Sequence, residues 1–197
     1  MAEERNIGPV SLIPARAARV LTARRGIAVG LGALVVALAA QVVVPVPFSP
    51  VPMTLQPLAV LVVGGLLGAG GGLTALLLYL VLGILGLPVF AGGASGAFHL
   101  AGPTGGYLLA FPAAAGVTGA LAGSGSSRAR TLRVLIACAV GMVIIHLGGV
   151  AQLSLLGGDA GLAVRVGFIP FFTGDLLKVG LAAALVLAAR PKIRSLL

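Results

Sequence analysis

Apolar residues fill long runs of this chain, and polar residues gather in the short stretches between them. The first run covers 26–44 (GIAVGLGALVVALAAQVVV) and stops at PVPFSPVP, where repeated proline cannot continue a helix. Runs at 57–69 and 73–87 follow, parted by GAGGG, and then a long Gly-rich connection at 88–103. The last three runs cover 104–122, 132–156 and 169–189. A helix crosses a bilayer in about 20 apolar residues, so the pattern predicts an all-α integral membrane protein with six transmembrane helices. The 57–69 run is short for a full crossing and must tilt or borrow from the preceding loop; five spans result if 57–87 dips in and returns. No lengthwise repeat is visible, which speaks for one compact bundle over an inverted-repeat architecture.

Composition strengthens this picture. Hydrophobic residues make up 59% of the 197 and charged residues 9%, whereas about a quarter of an average soluble domain is charged. The net charge of +9 has to be read by position. Eleven of the thirteen Lys and Arg residues fall in three clusters: Arg5, Arg16, Arg19, Arg24 and Arg25; Arg128, Arg130 and Arg133; Arg190, Lys192 and Arg194. With few aromatics and no Trp there is no base-stacking platform, so nucleic acid is excluded as a partner. Read by the positive-inside rule, the clusters put both termini in the cytoplasm. The loops at 45–56, 88–103 and 157–168 then face outward, and those at 69–72 and 123–131 face inward. Arg165 is the one basic loop residue on the other side. The organisation is a basic cytoplasmic segment (1–25), a six-helix membrane domain (26–190) and a basic cytoplasmic tail (191–197). The polar, basic stretch before the first apolar run does not fit a cleavable signal peptide, and the lone Cys138 reads as a small packing residue.

Two features interrupt the apolar pattern. In FFTGDLLKVGLAAALVLAAR, Asp175 and Lys178 stand at i,i+3 on one helical face, and each would cost about 2.5–3.5 kcal/mol alone at a bilayer centre. They form either a structural ion pair or a binding site facing an outward cavity. The flanking outward loops favour a site, because non-helical backbone at membrane depth must be buried or line a cavity. In the first span, Gly26, Gly30, Ala33, Ala37 and Ala40 make a stripe of small side chains. Such a stripe admits a second helix closely, either within the bundle or from another membrane protein.

Other chemistries lack their motifs. GLLGAGGG has no G-x-G-x-x-G continuation and nothing matches a Walker A loop. His99 and His146 have no ligand-spaced Cys, Asp or Glu, so no metal is expected. No nucleophile–base–acid set suggests an enzyme.

Four segments, PVPFSPVPMTLQPLAVLVVGGLLG, YLVLGILGLPVFAGG, GPTGGYLLAF and IPFFTGDLLK, occur in this order and together resemble the BioY family over residues 25–190. BioY proteins are the biotin-specific substrate-binding (S) components of energy-coupling factor (ECF) transporters. The resemblance implies a multi-pass protein of the prokaryotic plasma (inner) membrane that captures biotin from the outer side and needs no cofactor. A transmembrane coupling protein and two cytoplasmic ATPases would be its partners. The family's D-x-x-K corresponds to Asp175 and Lys178, which implies an Asp175 contact with a ureido N–H and a Lys178 contact with the ureido oxygen or the ligand carboxylate. Its A-x-x-x-A docking pattern corresponds to Ala33 and Ala37, within the stripe of Gly26, Gly30 and Ala40.

Other ligand contacts are sought in the outward loops. Thr54 and Gln56 are either binding groups or caps, Phe48 and Phe90 would cover the bicyclic ring, and Gly92, Gly93 and Gly102 permit close approach. Tyr107 is a wall residue or an interface anchor, and Gln152 is a further polar candidate. The chain departs from the resemblance at Ala94 and Leu108, apolar where some members carry polar and basic side chains; Ser95 and His99 are the available substitutes. The rival readings are an S component for another vitamin, a stand-alone ion-coupled carrier and a ligand-free membrane scaffold. GPTGGY and GDLLK weigh against the first, the scarcity of intramembrane acids against the second, and the Asp–Lys pair against the third.

Overall fold

The computed structural model describes residues 15–123 and 127–194. Helix α1 (Ala15–Ala39) is followed by a two-strand ribbon, β1 (Val43–Val44) and β2 (Met53–Thr54), that frames the proline-rich loop. The strands pair antiparallel, Val43 with Thr54 and Val44 with Met53. Then come α2 (Gln56–Ile84), the short α3 (Phe98–Ala101), α4 (Gly105–Leu121), α5 (Ser127–Gly157), α6 (Ala160–Gly167) and α7 (Phe172–Arg194).

Several boundaries differ from the sequence expectation, among them the start of α5 at Ser127 in place of 132. The first helix starts at Ala15, well before residue 26, and takes Arg16, Arg19, Arg24 and Arg25 into its opening turns. It also stops at Ala39, ahead of residue 44. Val42, Val43 and Val44 are β-branched and lead into Pro45, whose ring disfavours helical backbone in the residue before it. The last helix continues through Pro191 to Arg194, so the tail assigned to 191–197 begins as helix.

The 57–69 and 73–87 runs form a hairpin. Helix α2 is broken at Gly68, where φ 79° and ψ −179° suit glycine almost alone. Gln56 and Tyr79 would stand about 34 Å apart on a straight helix at 1.5 Å per residue. Instead the Gln56 Nε2 donates to the Tyr79 hydroxyl at 2.6 Å, so the arms 56–67 and 69–84 fold back on one another. At about 18 and 24 Å, both arms fall short of a 30 Å hydrocarbon core. With α1, α4, α5 and α7 they make six long helical segments among the described residues. Together the segments form a multi-pass helical bundle whose outer faces carry exposed Leu, Ile and Val.

Small residues bring these segments together. An added Cβ at Gly64 would collide with the Ala115 backbone of α4, and one at Gly72 would lie 2.8 Å from the Cα of Gly64. Three backbones therefore touch at Gly64, Gly72 and Ala115. Between α4 and α5, Gly106 and Gly148 approach in the same way. Direct packing of this kind holds helices together in lipid, where apolar burial gives no net drive.

The end of the bundle holding the α1 start, the Gly68 turn and the α7 terminus is tied by arginines. Arg190 is buried, and its Nη1 donates to the carbonyls of Ala122 and Gly123 just past α4. Pro191 has no N–H for the carbonyl of Leu187, four residues back. The Arg130 Nη2 donates to that carbonyl instead, at 3.4 Å.

Candidate functional site

The opposite end of the bundle carries an open pocket. Val51 to Thr54 of the ribbon, with Gln56 and Pro57 at the start of α2, form one side. Thr104, Tyr107, Leu108 and Phe111 come from the start of α4, Ile145 and His146 from α5, and Phe171, Asp175 and Lys178 from the start of α7. Ala91 and His99 of the Gly-rich connection border the mouth. Three helices thus point their N-termini at one cavity. The partial positive charge of those ends and their free N–H groups suit an anionic or carbonyl-bearing guest.

Asp175 and Lys178 lie on the pocket wall at 5% and 8% exposure. Lys178 Nζ donates to Asp175 Oδ1 at 2.8 Å, and His146 Nε2 lies 2.6 Å from Oδ2. The carboxylate thus sits between two nitrogen donors, one on its own helix and one on α5. Twenty-nine residues separate His146 from Asp175, and no local spacing pairs them. The signal available in the sequence was the presence of an ionisable side chain inside an apolar span.

Thr54 and Gln56 line the pocket and also bond one another. The Thr54 hydroxyl donates to Gln56 Oε1 at 3.1 Å, and the Gln56 N–H donates back to the Thr54 oxygen at 3.3 Å. Tyr79, bonded to Gln56, donates in turn to the carbonyl of Val89 at 3.2 Å, which ties the ribbon, the hairpin and the next connection together. Tyr107 is a wall residue. Its ring fills the space beside Gly149, and its hydroxyl donates to the Gly167 carbonyl at 2.6 Å. Gln152 Nε2 donates to the carbonyls of Leu100 and Gly102 at 2.8 and 2.6 Å, holding the connection over α5 instead of facing the cavity. The Ser49 hydroxyl reaches the Val166 carbonyl at 2.7 Å and straps the proline-rich loop to α6.

Four expected contacts are corrected. Phe48 is 99% exposed at a positive φ of 66° and is not among the residues lining the cavity. Phe90 is fully buried behind the wall, its ring pressed on Gly83, edge-on to Tyr79 and stacked on His99 at 5.4 Å. It supports the pocket without lining it. Gly93 and Ser95 are exposed positions of the connection outside the lining. His99 does border the mouth, where its Nε2 lies 3.1 Å from the Thr104 hydroxyl and burial pulls the imidazole pKa below its ordinary value. Leu108 is a buried apolar wall residue.

The small-residue stripe of α1 is divided as well. Ala33 and Ala40 are buried within the bundle, and Ala37 packs partly against its core. A Cβ added at Gly26 or Gly30 would meet nothing within 4 Å. The stripe is therefore not one continuous exposed face: a helix 25 residues long that lies against the hairpin needs small residues on its own inner side.

A model described as the BioY family matches residues 14–195. Among curated proteins, the chain is 39% identical over 145 residues to a "Probable biotin transporter BioY" of Pyrococcus horikoshii, covering 74% of this chain and 83% of that one. It is 42% identical over 142 residues to a "Biotin transporter BioY" of Thermotoga maritima, covering 72% and 82%. Its fold is similar to that of a crystallised S-component for biotin from an ECF-type ABC transporter. The TM-score is 0.76 at 24% identity, over 87% of this chain and 93% of that one.

Proposed function

The chain belongs to the BioY family, and from that premise we propose that it is the biotin-capturing S component of an ECF-type transporter in a prokaryotic plasma membrane. It is a transport protein and not an enzyme; ATP is hydrolysed by partner subunits. The observation that carries the reading is the Asp175–Lys178 pair on the wall of a pocket that three helix N-termini border. Asp175 accepts a ureido N–H of biotin in a charge-assisted hydrogen bond, and Lys178 donates to the ureido oxygen. The carboxylate tail, which finds apolar Leu108 where some relatives carry a base, is served by the free N–H groups at the start of α4 and by the His99–Thr104 pair.

The start of α1, Arg130 and Arg190 lie at the end away from the pocket, and read by the positive-inside rule this supports both termini in the cytoplasm and a pocket that opens outward. Titration of the detergent-purified chain with biotin, thiamine and riboflavin tests the assignment. Saturable binding of biotin alone is expected; preference for another vitamin, or no binding of biotin, refutes it.

Docking of the coupling protein falls on the open part of α1 around Gly26 and Gly30, with the half-buried Ala37 at its edge. The double variant Gly26→Leu, Gly30→Leu is expected to bind biotin normally and to lose co-purification with an ATPase-bearing complex. Undiminished co-purification would move the docking surface elsewhere.

A further inference from the structure

His146 is buried at 8% exposure, borders the pocket and keeps close company with aromatic rings. Phe168 and Tyr107 meet its ring edge-to-face at centroid distances of 5.0 and 6.0 Å, and Phe171 lies tilted at 6.4 Å. Its Nε2 is 2.6 Å from Asp175 Oδ2, while its Nδ1 is buried and has no hydrogen-bond partner. The hydroxyl of Tyr107, whose ring meets His146, is committed to the carbonyl of Gly167. A carboxylate oxygen only accepts, so the ring nitrogen that faces it, Nε2, donates its N–H to Asp175.

An ionised carboxylate offers about four acceptor positions. Lys178 uses one on Oδ1 and His146 one on Oδ2. Because the two donors come from different helices, they fix the plane of the carboxylate as well as its position. We propose that His146 is a positioning residue for ligand recognition: acting only through Asp175, it holds the carboxylate so that its remaining acceptor positions meet N–H donors of a cyclic urea in the pocket. The inference rests on the proposed function and deepens it. The site selects for ring N–H groups, and analogues methylated at a ureido nitrogen are discriminated against through an Asp175 that His146 holds still.

The test is calorimetric titration of biotin and of ureido-N-methylated biotin into the full chain and its variants, with a melting curve for each. His146→Phe keeps a flat ring among the aromatics and removes the donor. It is expected to weaken biotin by about tenfold or more, the loss typical of a hydrogen bond to a charged group. It should also narrow the preference for biotin over its methylated analogue. His146→Gln presents an N–H close to the Nε2 position and is expected to restore both affinity and discrimination. In an Asp175→Asn background, His146→Phe is expected to change affinity by less than about twofold, because the effect passes through the carboxylate.

Equal biotin binding by wild type and His146→Phe overturns the inference and leaves the proposed function intact. A full His146→Phe effect in the Asp175→Asn background overturns it too, since the contact would then be independent of Asp175, and so does failure of His146→Gln to rescue. Wild-type protein that does not bind biotin at all defeats the proposed function, and this inference with it.

Discussion

A chain carrying Asp175→Leu is expected to lose biotin binding together with about 3–5 kcal/mol of stability, the usual consequence of removing one partner from a buried ion pair. The Lys178 amine, 8% exposed, would lose its carboxylate partner, and the Nε2–H of His146 would lose its acceptor as well. Adding Lys178→Met to the same chain removes the stranded amine. Melting curves of the double variant should then recover most of the lost stability, while calorimetry should still find no biotin binding. The combination separates two meanings of the pair that look alike in a structure. A clasp that only holds helices would be replaceable by apolar residues with nothing lost. A recognition group would not. Biotin binding by the single variant at wild-type strength would reduce the pair to a clasp. A double variant as unstable as the single one would show that the damage does not come from the stranded amine.

Gly64→Val is expected to disrupt the bundle, and by more than the 1–3 kcal/mol or so that extra methylenes cost in an ordinary packed core. What its Cβ would strike is the carbonyl and Cα of Ala115, backbone atoms that cannot rotate away. The first arm of the hairpin and α4 would have to separate, and Gly72 of the second arm sits in the same contact. Both partners of that contact lead to the pocket: the first arm begins at Gln56, and α4 carries Tyr107 and Leu108. Ligand affinity should therefore fall along with the melting temperature. Gly70→Ala is the control. It lies in the same hairpin, a Cβ there would meet nothing within 4 Å, and its backbone is helical. It should be neutral or stabilising by about 0.4–1 kcal/mol through the unfolded chain. Equal losses in the two variants would mean that helix propensity, and not backbone contact, governs this region.

Hydropathy made the broad architecture legible, because a helix in lipid must be apolar along its whole exposed length. The runs at 104–122, 132–156 and 169–189 fall on α4, α5 and α7. The hairpin was half visible: GAGGG announced a break, but only the bond between Gln56 and Tyr79 shows how tightly the arms return. The ribbon of Val43–Val44 and Met53–Thr54 was hidden, since two-residue strands leave no alternating pattern to read.

The pocket was legible where chemistry is local. Asp175 and Lys178 announce themselves by i,i+3 spacing, and Thr54 and Gln56 by their place at a helix start. His146 was missed because its partner comes from another helix. Phe48 and Phe90 were misplaced because an aromatic in a glycine-rich loop can face ligand, core or lipid, and sequence carries no sign of which. The α1 stripe shows the same ambiguity: its period identified a face, and only packing against the hairpin decided how much of that face stays open.

The arginines at the far end of the bundle change what the formal charge of +9 means. Arg190 is 2% exposed, its guanidinium turned onto the carbonyls just past α4, and Arg130 reaches the carbonyl that Pro191 leaves over in α7. These cations answer the negative ends of neighbouring helices, so they act as rivets between helix ends as much as markers of sidedness. Anionic headgroups at that surface meet a weaker positive field than the residue tally suggests, and the grip on the lipid leaflet at that end falls mainly to exposed positions such as Arg24 and Arg25.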